Sequence, residues 1–87
     1  MPTPAVTALA DRVRAHLKAG AFREPEPADL PPDLRVLGAE TAARVVLADV
    51  EHRDWEERAG FAPAPRVWEG LAAQLRLLED VARRRPA

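Results

Sequence analysis

Asp49, His52 and Glu56 fall at i, i+3 and i+7. On a helix this spacing gathers a carboxylate, an imidazole and a second carboxylate on one face. Metal sites in helical bundles are built from such faces, with further ligands projecting from the helices opposite. A complete site needs three or four ligands. The only other histidine is His16, on the flank of an earlier helical segment. Without a second ligand-bearing helix, the expectation for Asp49, His52 and Glu56 is ordinary charge-assisted contact on a solvated face, with no bound metal.

Other chemistries lack raw material. Serine and cysteine are absent, and Thr3, Thr7 and Thr41 have no base placed near them by the sequence, so no nucleophile and base can be assigned. The glycines at 20, 38, 60 and 70 are widely spaced; they read as helix punctuation or packing sites, not as a phosphate-cradling loop. The expectation is a protein that is not an enzyme, has no catalytic residues and needs no cofactor.

The elements that position these residues follow from periodicity. Thr3 is a good N-cap and Pro4 suits the first helical position. Val6, Leu9, Ala10, Val13 and Leu17 then recur as one stripe about 100° wide, which predicts a first helix over about 4–19 stopped at Gly20. Prolines at 25, 27, 31 and 32 forbid a continuous helix through the next stretch, so 21–37 reads as an extended strap. Phe22, Leu30, Leu34 and Leu37 could pin this strap down, and Asp33 could open a short helical turn.

A second helix is predicted over about 39–59, ended by Gly60, with Phe61 following as the apolar residue of a Schellman-type cap that packs back on Trp55. In its first half the apolar positions cover about 200° of the wheel, more than one neighbour needs. A third helix over about 65–84 gathers Val67, Trp68, Leu71, Ala72, Leu75, Leu78, Val81 and Ala82 on one face, leaves Leu77 off it, and places Asp80 and Arg84 at ion-pair spacing. No period-2 pattern appears. The fold class is therefore all-α, a small three-helix bundle with a Pro-rich connection between helices 1 and 2, read as one domain over 1–87. Its expected core is Val6, Leu9, Val13, Leu17, Val46, Val50, Trp55, Phe61, Trp68, Leu71, Leu75 and Leu78.

The tripeptide Trp68-Glu69-Gly70 resembles the W-x-G signature of small secreted helical-hairpin proteins, where it occupies the turn between two long helices. Here it opens a third helix, a proline-rich stretch interrupts the chain, and the tyrosine of that family's export motif has no counterpart because the chain has no Tyr. Trp68 is accordingly read as a core anchor.

Composition narrows the function classes. The 87 residues are 47% hydrophobic and 31% charged, with 13 Lys and Arg against 14 Asp and Glu, which is neither a disordered solvating chain nor a strongly basic nucleic-acid binder. The absence of cysteine removes disulfides and thiolate metal sites. The opening MPTPAVTALADR lacks the basic and apolar regions of a signal peptide, and no apolar run approaches membrane-span length, so a cytoplasmic protein without a membrane partner is expected. Residues 39–59 carry three Arg against six carboxylates, while residues 1–20 and 61–87 are net basic, which favours antiparallel packing within the domain.

The surplus apolar surface and the missing catalytic groups point to a non-catalytic protein-interaction module, a small adaptor, regulatory or accessory subunit. Its partner would be another protein or a second copy as a homodimer, docked on a face of helices 2 and 3 made by Ala39, Ala43, Val46, Leu47, Val50 and Leu77; the competing expectation is that the strap from Phe22 to Leu37 folds over the same face and covers it with Leu30, Leu34 and Leu37. The alternative is a small helical DNA-binding regulator. Against it stand the proline-containing connection at 59–65 and the lack of a basic, polar recognition face.

Overall fold

A computed structural model describes residues 3–22, 38–61 and 63–84. The described residues form a bundle of three helices: α1 (Pro4–Lys18), α2 (Ala39–Arg58) and α3 (Pro65–Arg84). Among the described residues there is no strand. Leu30, Leu34, Leu37 and most of the Pro-rich strap lie outside the described residues.

Local chemistry sets the helix ends. Thr3 Oγ1 accepts the Val6 amide at 3.2 Å, satisfying one of the N–H groups that a helix start leaves without an intrahelical partner. At the other end of α1 the Gly20 amide bonds to the Leu17 carbonyl and the Ala21 amide to the His16 carbonyl, the paired bonds of a Schellman motif. Gly60 and Phe61 repeat the motif at the end of α2, bonding to the carbonyls of Glu57 and Glu56. Both glycines take the left-handed conformation the motif requires, with φ of 79° and 98°.

α1 and α3 make the most extensive helix pair, and α2 lies against both. Val6, Leu9, Ala10 and Val13 from α1 share one buried cluster with Trp68, Leu71, Leu75, Leu78 and Val81 from α3, and Leu75 is 0% exposed. From α2, Ala39, Ala42, Ala43, Val46, Leu47 and Val50 close the core. The short side chains at 39, 42 and 43 let α2 approach its neighbours closely. Phe22, just beyond α1, is also buried.

Two expected core residues are not there. Trp55 is 63% exposed and Phe61 70%. On α2 the buried positions span an arc of about 140° that includes Val46, and at 100° per residue Trp55 stands about 180° from Val46. Phe61 follows Trp55 outward because its amide is tied to the last turn of α2. Leu17, in the last turn of α1, is only partly buried against the core.

Among the described residues one charged side chain is buried. Glu79 is 6% exposed and accepts a hydrogen bond from Arg12 Nε of α1, with Arg83 Nη2 3.8 Å away. The Arg12 hydrogen bond holds the Glu79 carboxyl below the ordinary value of 4.5, and the positive charges of Arg12 and Arg83 add to the effect against the opposing penalty of burial. This pair ties the first helix to the third across the whole chain. Its signal was present in the sequence: Leu75, Leu78, Glu79 and Ala82 lie at i, i+3, i+4 and i+7, which puts an acid on the core stripe of α3.

Candidate functional site

Five of the six sequence-predicted docking residues are core. Ala39, Ala43, Val46, Leu47 and Val50 are buried by the chain's own helices, and Leu77 is half-buried. α2 sits against both α1 and α3, so two neighbours absorb the wide apolar arc of its first half. A docking face built on these side chains is therefore not presented to solvent, and the surface must be sought elsewhere.

The opposite side of α2 offers one. Thr41, Val45, Ala48, His52, Trp55 and Ala59 are all exposed, and their spacing alternates four and three along the helix. This is the a/d repeat of a helix-pairing seam. Its centre lies about 180° from the buried arc. Val45 at 47% and Trp55 at 63% exposure supply most of its apolar surface. Trp55 takes His52 as its ring partner, with centroids 6.2 Å apart and planes inclined by 19°. The Schellman turn adds Phe61 at the same end. This face is faint in the sequence because alanine, threonine and histidine are weak apolar markers, while the wheel of α2 carries a stronger stripe on its other side.

The acid-histidine-acid face overlaps this seam. His52 Nε2 lies 3.3 Å from Glu56 Oε1, and Arg53 Nη1 lies 3.7 Å from the same oxygen. That oxygen is removed from solvent yet makes no hydrogen bond. Asp49 is engaged by Arg53 Nε at 3.3 Å. The carboxylates therefore meet a guanidinium, and among the described residues no group of three or more histidines and acids stands where a metal ion could be shared. Arg84, expected opposite the Asp80 carboxylate, donates to the Asp80 carbonyl at 3.3 Å.

Two clefts accompany the face. One of about 450 Å³ lies where the start of α1, the end of α2 and the start of α3 meet, with Pro63, Pro65 and Trp68 as apolar walls and Glu57, Glu69 and Arg76 charged. The other, about 250 Å³, runs between α1 and α2 beside Thr7, Arg14 and Glu51. Neither is lined by a histidine. Among the described residues no helix is long and apolar enough to cross a membrane.

The chain matches no protein-family model, no curated protein and no solved structure.

Proposed function

We propose that this protein is a non-catalytic protein-interaction module whose contact surface is the outer face of α2. The observation that carries the reading is the partition of the aromatic residues. Phe22 and Trp68 are buried, whereas Trp55 and Phe61 stand in solvent at one end of a seam with helix-pairing spacing. An isolated exposed apolar residue is ordinary, but Trp55 and Phe61 exposed together at one end of a seam that also exposes Val45 mark a binding surface. Trp and Phe are also suited to anchor interfaces, since each supplies a large rigid area at low entropic cost.

Charge supports a protein partner over DNA. α2 carries more carboxylates than arginines, and a phosphate backbone would be repelled by that excess.

The test compares what the immobilised full chain captures from the native lysate with what a Trp55→Glu/Phe61→Ser variant captures. Both side chains are exposed, so the variant should keep the helical content and melting temperature of the parent. Loss of the bound proteins from the variant is the expected result. Capture of the same proteins by the folded variant rules out this face as the contact surface.

A further inference from the structure

The geometry points to a second copy of this chain as the occupant of the α2 seam, paired antiparallel about a two-fold axis that crosses the seam between Ala48 and His52, at the level of position 50. The inference rests on the interaction-module reading and names its partner. Thr41, Val45, Ala48, His52, Trp55 and Ala59 read the same in either direction, because their spacing of four, three, four, three and four is symmetric about position 50. Turned over on itself, the seam sets Val45 against Trp55 of the second copy, Ala48 against His52 of the second copy, and Thr41 against Ala59 of the second copy. Each layer joins a smaller side chain to a larger one or two small ones to each other, which is how facing side chains interdigitate without voids. A parallel pair would instead stack Trp55 on its equivalent and leave the two Ala48 methyls facing across a gap.

The dimensions fit a weak pair. From Thr41 to Ala59 the seam is about 27 Å long at 1.5 Å per residue. The exposed parts of Trp55 and Phe61 alone amount to about 300 Å². With the rest of the seam, each copy would bury on the order of 600 Å², less than the about 800 Å² per partner of a standard interface, so the pair should be reversible. An isologous contact of this kind closes on itself and stops at two.

The flanks set its salt dependence. In the antiparallel pair Arg44 lies near Arg58 of the second copy, and Glu51 and Asp49 each near their own equivalents. All four are already engaged within the chain, Arg44 by Glu40, Arg58 by Asp54, Glu51 by Arg14 and Asp49 by Arg53. They therefore meet as ion pairs whose residual repulsion salt will screen. Pairing should tighten as salt is raised, whereas binding of a basic foreign helix would loosen.

Sedimentation of the full chain from about 1 to 500 µM, at low and high salt, reads the association directly. The expected result is a monomer–dimer equilibrium, tighter at high salt and weakened about a hundredfold by Ala48→Glu, which puts an unpaired charge at the centre of the contact. Circular dichroism confirms that this exposed-site variant stays folded. Because the chain has no cysteine, Thr41→Cys and Ala59→Cys report register: mixed and oxidised they should form the mixed disulfide, while each alone should not cross-link. A monomer throughout, loosening by salt, or cross-linking of Thr41→Cys with itself each overturns the pairing. A monomer that still captures proteins through Trp55 and Phe61 overturns the pairing alone and leaves the module reading standing. A monomer that captures nothing overturns both.

Discussion

Trp68 and Trp55 belong to one three-helix bundle, yet the first is 6% exposed and the second 63%. Trp68 sits in the first turns of α3 on a stripe whose apolar residues all face α1 and α2, so its burial follows from the amphipathicity of its own helix. Trp55 sits on a helix that is apolar on two sides. There the side with more branched residues and close-packing alanines wins the core, and the tryptophan is left outside. The contrast teaches that a large aromatic is not a core residue by right: on a two-faced helix, the face that fits between the neighbours is buried whole, and the other is presented whole.

A hard blow to the buried side of this comparison is Leu75→Ala. Leu75 is fully buried between the helices, so truncation should cost about 2–5 kcal/mol through lost burial and the cavity left behind, seen as a large drop in thermal or urea midpoint. A midpoint unchanged within error would show that α3 does not use this face for its core.

Next in size is the pair that locks α1 to α3. Arg12→Ala should cost about 1.5–3 kcal/mol at neutral pH, the scale of a hydrogen bond to a charged group. The pH dependence carries a sign. Because Arg12 lowers the Glu79 carboxyl in the folded state below 4.5, the pair contributes fully above that ordinary value, and the contribution is lost as pH falls through the lowered folded value. Urea midpoints measured from neutral pH downward should therefore converge for parent and Arg12→Ala in acid. Parallel curves at all pH values would mean that the pair does not act through this carboxylate.

A smaller effect has the opposite direction. Gly70 lies within α3, and a Cβ built there meets nothing within 4 Å. It is neither a helix stop nor a close-packing position, and Gly70→Ala should stabilise the protein by about 0.5–1 kcal/mol through helix propensity. A loss of stability would reveal a neighbour over this part of α3.

The smallest effect sharpens the comparison most. Trp55→Ser should leave the stability of the dilute chain within about 0.5 kcal/mol of the parent, as for exposed substitutions away from special features, whereas Trp68→Ala should cost about 3–5 kcal/mol. If the Trp55 substitution proves as damaging as that at Trp68, the outer face of α2 is covered in the folded monomer and is not free to bind.

The three helices were legible in the sequence because their signals are local. Thr3-Pro4, Gly20 and Gly60 punctuate the chain through backbone preferences that act within a few residues, and the 3.6-residue periodicities of α1 and α3 each point to a single buried face. What only the tertiary structure decided is which way α2 turns and what Glu79 meets. Two apolar stripes on one helix are degenerate as a local pattern, and the choice falls to the shape of the groove between α1 and α3, which accepts Ala39, Ala42, Ala43, Val46 and Val50 and leaves Trp55 outside. An acid on a core stripe likewise announces that a partner is needed, but Arg12 lies 67 residues away along the chain, and only packing α1 against α3 brings the two side chains together.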